Sequence, residues 1–281
     1  MYKKIELHRQ RDFSSKMNAT IEFIKRNFKP LFKCIMYIAG PFVLIGSIAM
    51  TVVMNYSFQS LTGVEPDIGG IYNTLISSLG AMIFLLLASV ALISVVYEYM
   101  MLYEKNDEGI VTVDEVFQKV KSSFMSVLGT LFLFVLLAIG IYILLLIPTV
   151  IFSGISSSGF FFFIVFLLFF FGVMYFFVGS SLVFIIRAYE KIGFGRALGR
   201  SFTLIKGKWW STFGLLLVIG LIQGVVSSIF IIPYYVNTFL ATMHTIDTGE
   251  LAQPSQSTLI INQVSLFFYF ILTYALYALP L

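Results

Sequence analysis

Six stretches of this chain contain no Asp, Glu, Lys or Arg: residues 34–56, 75–97, 124–152, 160–186, 209–232 and 259–281. Each is close to or above the roughly 20 residues a helix needs to cross a hydrocarbon core about 30 Å thick. Lipid offers the backbone no hydrogen-bond partners, so a spanning run must satisfy its own N–H and C=O groups and becomes a helix. The expected fold is therefore all-α: a polytopic transmembrane helical bundle of about six spans. Composition leaves little room for a soluble alternative. Hydrophobic residues make up 59% of the chain and charged residues 11%, where a soluble domain has roughly 45–50% and about 25%. Many of the 31 Phe and 15 Tyr lie in or beside the apolar runs, as expected for lipid-facing and interfacial positions. The sixth run reaches Leu281 with no polar flank, so either that helix ends flush with the interface or a tail follows.

The 18 Lys and Arg fall on alternate sides of these runs. Residues 1–33 carry nine, 98–121 three and 187–208 six, while the intervening loops carry only Glu65, Asp67, Asp247 and Glu250. Short loops rich in Lys and Arg stay in the cytoplasm, so the N-terminus and the three basic segments are expected there. The expected location is a bacterial inner (cytoplasmic) membrane. Residues 1–33 have no early apolar core and do not read as a cleavable signal peptide. The expected organisation is one membrane domain, residues 1–281, with residues 1–33 as a basic amphipathic segment and 34–281 as the six-span bundle. A single cysteine, Cys34, excludes an internal disulfide framework and a thiolate metal cluster.

Each basic segment reads as a short amphipathic helix leading into a span. Met17, Ile21, Ile24, Phe28 and Leu31 recur at helical spacing in the first, with Lys16, Lys25, Arg26 and Lys29 elsewhere and Pro30 positioned to bend into the span. In the second, Val113, Val116, Phe117, Val120 and Phe124 share a face, and Thr112 with Glu115 matches a capping box. In the third, Phe194, Leu198, Phe202, Ile205 and Trp209 share a face away from Arg196 and Arg200. Such helices would lie in the headgroup plane, aromatics down and cations toward phosphates or water. The three segments align on Phe28, Phe124 and Trp209, with Lys25, Lys121 and Lys206 three residues before each. Two copies carry a second echo, Tyr103-Glu104-Lys105 and Tyr189-Glu190-Lys191. The pattern suggests a threefold repeat of interfacial helix, span, outer turn and returning span. A basic aromatic lead-in common to any membrane hairpin would give a similar pattern.

Residues 188–216 read AYEKIGFGRALGRSFTLIKGKWWSTFGLL. At Gly193, Ala197, Arg200, Ser201, Leu204, Lys206, Gly207 and Trp209 this resembles the bacterial membrane domains attached to some glycerophosphodiester phosphodiesterases, and the related YciC-like families. The resemblance covers one loop and its flanks. It implies a helical membrane module without the soluble barrel that carries phosphodiesterase chemistry.

None of the six runs holds an ionisable residue away from its ends, whereas proton and ion pathways through a membrane usually show one. His8 and His244 fall on opposite sides of the expected topology, and neither stands in a set of metal-ligand spacing. Residues 153–159, SGISSSG, lack the Lys and the preceding strand of a phosphate loop and read as a tight turn. Pro41, Pro148 and Pro233 stand in or at the ends of spans and are expected to kink or terminate helices. No catalytic residue, cofactor, metal or nucleic-acid partner is expected.

Two features point to contacts with other molecules. Residues 98–115 carry six acids, Glu104, Asp107 and Glu108 among them, and could dock a basic partner or clasp the basic helix of Arg196, Arg200 and Lys206. Gly220 and Gly224, with Ser228 one step on, form a small-residue face of the kind that lets membrane helices approach closely. The leading expectation is a non-enzymatic membrane subunit or scaffold that contacts lipids and other proteins. The alternative is a carrier or flippase-like protein for a lipid or apolar substrate, lined by Asn55, Ser77, Ser78, Ser89, Ser94, Gln223, Asn262 and Gln263.

Overall fold

The structure, a computed structural model, describes residues 12–61, 68–106, 111–153, 159–248 and 255–277. Among them are nine helices and no strand: α1 (Phe13–Ile38), α2 (Gly40–Leu61), α3 (Ile68–Lys105), α4 (Val113–Ser153), α5 (Gly159–Ser180), α6 (Val183–Glu190), α7 (Phe194–Ile205), α8 (Trp209–Thr248) and α9 (Gln256–Tyr277). Five segments are long and apolar enough to cross a bilayer: α3, α4, α5 with α6, α8 and α9. A sixth is the α1–α2 pair, bent by 62°, if it counts as one broken span. The chain is an all-α, multi-pass membrane protein.

Local chemistry decides where the helices start and bend. Asp12 caps α1, its Oδ1 accepting the Ser15 N–H at 3.2 Å, and hydrogen bonding from Ser15 holds the carboxyl below the usual carboxylate range. Thr112 and Glu115 form the expected capping box. Glu115 Oε2 accepts from the Thr112 N–H at 2.9 Å and from its hydroxyl at 2.8 Å, and the Glu115 N–H points back to Thr112 Oγ1 at 3.4 Å. Thr112→Ala should therefore lower stability by about 0.5–2 kcal/mol, measured by unfolding in micelles, with Thr112→Ser retaining most of it.

Pro30 acts differently from the sequence expectation, whereas Pro41 stands at a bend as expected. Pro30 lies inside α1, which continues to Ile38, and the bend falls at Ala39. There Gly40 and Pro41 follow one another, so the weakest helix-forming residue before proline adjoins a residue that lacks an N–H and crowds the preceding turn. Pro30 is flanked by residues of α1 that are buried, Asn27 and Leu31 among them. Pro233 does not terminate α8 either, since the helix runs on to Thr248. Ile231 and Tyr234, on either side of it, are buried in a cluster with Leu266 of α9.

The helices gather into two compact units, one of residues 1–122 and 218–281, the other of residues 123–217. In the first, a Cβ on Gly46 of α2 would stand 2.8 Å from Leu85 Cδ2 and 3.3 Å from the Leu85 backbone nitrogen. Glycine there is what lets α2 and α3 approach so closely. Beside them α1 presents three faces. Phe23, Asn27, Leu31, Cys34 and Ile38 are buried, Ile21 and Phe28 are exposed, and Glu22, Lys25, Arg26 and Lys29 are also exposed. Part of the apolar side is thus spent on protein packing and part remains open.

In the second unit α5 stops at Ser180 and α6 begins at Val183. At that break Ser201 of α7 donates its hydroxyl to the Gly179 carbonyl at 2.6 Å, and the Phe202 ring occupies the space a Cβ on Gly179 would need. A helix interrupted within an apolar span needs such substitute partners. The aromatics of α7 pack in part on protein. Phe202 meets Tyr175 and Phe176, and Phe194 meets Phe134. The three aligned positions also differ locally: Phe28 lies mid-helix before a bend, Phe124 lies within the uninterrupted α4, and Trp209 opens α8 after a turn at Gly207, φ +80°.

Candidate functional site

The residues singled out by sequence fall in three places. Glu104 lies in the last turn of α3, partly buried, whereas Asp107 and Glu108 lie outside the described residues, as do His8 and residues 154–158. Arg196 and Arg200 are exposed on α7, and Lys206 ends that helix, also exposed. Arg200 Nε pairs with Glu190 Oε1 at 3.0 Å. Its partner is thus the acid that closes α6, in the same unit. Both side chains are more than a third exposed, so the pair adds no more than about 1 kcal/mol.

Gly220 and Gly224 stand on α8 with Ser228, all exposed. A Cβ built on either glycine would meet nothing within 4 Å. Around them Leu221, Val225 and Ile229 are also exposed, each by more than half. A different side of α8 carries the polar contacts. Gln223 Nε2 donates to the Thr273 carbonyl at 2.7 Å, and Asn237 Nδ2 to Asn262 Oδ1 at 2.9 Å, joining α8 to α9 at two levels. Several groups considered as a polar lining are thus engaged within the chain. Ser78 and Ser89 likewise donate to the carbonyls of Thr74 and Leu86, both at 2.7 Å.

Two arrangements escape sequence reading. Asn27 and Tyr99, 72 positions apart, meet at 3.0 Å through the Tyr99 hydroxyl and Asn27 Oδ1, both residues buried. Arg187, counted in sequence only as a loop cation, reaches the Ser126 carbonyl and Thr130 Oγ1 of α4 with Nη1, and the Ile192 carbonyl with Nε. Thr130, spaced four residues from Ser126 in the charge-free part of α4, is the sequence sign of that seat. Comparison with known proteins, by family model, by sequence and by structure, finds no match.

Proposed function

We propose that this chain is a non-enzymatic subunit or scaffold of a larger membrane assembly, joined to its neighbours through the Gly220–Gly224–Ser228 face of α8. The observation that carries the reading is the open space over both glycines. Small residues bring helices together in lipid because backbones can pack closely over them, and no described residue of this chain uses that packing. The carrier reading ranks lower because Gln223 and Asn262, two of its lining candidates, already bond within the chain. Isolation from the native membrane in several mild detergents tests the proposal. A reproducible set of companion proteins is expected, and a chain that always runs alone with lipid contradicts it.

The proposed setting is the bacterial inner membrane with the N-terminus in the cytoplasm. The one-sided placement of all 18 Lys and Arg supports it, as does the resemblance carried by residues 188–216. A reporter active only outside the cytoplasm should work when fused after Gly63 or Gly249 and fail after Asp107 or Gly193. Activity at Asp107 would overturn the orientation.

A further inference from the structure

Residues 123–217 hold six cations, Arg187, Lys191, Arg196, Arg200, Lys206 and Lys208, against a single carboxylate, Glu190. That carboxylate is taken by Arg200. Arg187 is therefore left without an acid in its own unit, yet it is the best-seated cation there. It is partly buried, and each of its protein partners is an uncharged oxygen. Nε donates to the Ile192 carbonyl at 3.4 Å, and Nη1 donates to the Ser126 carbonyl at 3.4 Å and to Thr130 Oγ1. Thr130 is itself buried and donates its hydroxyl to the Ser126 carbonyl at 2.7 Å, so the acceptor facing the guanidinium is held in one orientation.

The layer below closes the seat. One turn along α4 from Thr130, Phe134 stacks on Phe184 at 5.5 Å and meets Phe194 edge-on at 5.1 Å. Val183, Ile186 and Ala197 are buried in the same cluster. Beside this cluster in sequence, Arg187 keeps Nη2 bonded to no described residue. A guanidinium has five N–H donors, and here Nε and Nη1 are engaged while the two Nη2 donors are matched by no described residue.

We propose that Arg187 is a binding site for a phosphate group, with Nη2 donating to the phosphate oxygens while Nε and Nη1 stay bonded to Ile192 and α4. A phospholipid headgroup and free phosphate share this chemistry. Arg187 directly follows the charge-free run of residues 160–186, at the end of a span where headgroups lie, and this favours the lipid. The proposal goes beyond assembly through α8 and stands or falls separately from it.

The test uses the full chain in mild neutral detergent, titrated with phosphatidylglycerol, phosphatidylcholine or inorganic phosphate, with bound molecules counted by native mass spectrometry. Saturable retention of phosphatidylglycerol is expected, weakened about tenfold or more in Arg187→Gln, as losing a charge-assisted hydrogen bond implies. Arg187→Lys keeps the charge and loses the fork, so it should bind with intermediate affinity even if Arg187→Gln folds poorly. Equal occupancy by inorganic phosphate, lost in the same variants, would place the source in solution and still support the site. Absence of saturable binding by either probe, or Arg187→Lys and a folded Arg187→Gln binding like wild type, overturns it.

Discussion

Replacing Phe23 with alanine should destabilise the fold by about 3–5 kcal/mol, the cost of emptying a buried aromatic site. Phe23 is fully buried in α1 and meets Tyr103 edge-on at 5.2 Å and Tyr99 at 6.4 Å. Edge-to-face pairs add about 0.5–1.5 kcal/mol beyond the area they bury. The loss would spread to polar contacts, because the Phe23 carbonyl accepts from Asn27 Nδ2 at 3.1 Å and Asn27 Oδ1 accepts from the Tyr99 hydroxyl at 3.0 Å. Equilibrium unfolding in mixed micelles measures it. A cost below about 1 kcal/mol would mean that α1 does not pack on α3 in this way, since full truncation of a packed ring exceeds that value.

This node also marks the limit of what the sequence could tell. The six charge-free runs translate into helices because lipid leaves the backbone one solution, and the capping box of Thr112 and Glu115 is legible because its atoms lie within three residues. The pairing of Asn27 with Tyr99, or of Ser201 with the Gly179 carbonyl, depends on which helices become neighbours, and periodicity carries no such information. The amphipathic pattern of α7 was legible. That Phe194 and Phe202 meet Phe134 and α5 was not, since an apolar stripe reads the same whichever apolar medium covers it. Pro30 and Pro41 show the same division: both look like bends in sequence, and the preceding glycine at 40 together with packing around Pro30 decides between them. At the candidate face, Gly220 and Gly224 were legible as small residues at helical spacing, whereas the open space above them is a property of the folded chain.

That open face supplies the second large expected effect. Gly220→Leu with Gly224→Leu should leave the isolated chain folded, because the added side chains meet nothing and leucine is the better helix former by about 0.8–1 kcal/mol per site. The same change should abolish close packing by a second helix, since two leucines replace the surface over which backbones approach. Stability and assembly should therefore separate: an unfolding midpoint equal to or above wild type, and a lost partner. Residues such as Gly46, where a Cβ would strike Leu85, behave oppositely, because their space is already used inside the fold.

The most direct measurement is the mass of the complex that the chain carries out of its native membrane, compared between wild type and the Gly220→Leu, Gly224→Leu variant in several mild detergents. Membership in an assembly through α8 predicts a wild-type particle well above the chain's own 31.7 kDa plus detergent and lipid, with the same companion proteins in each detergent, and a variant reduced to the lone folded chain. A wild-type protein that emerges alone with lipid in every detergent, or a variant that keeps the full complement of companions, would contradict it.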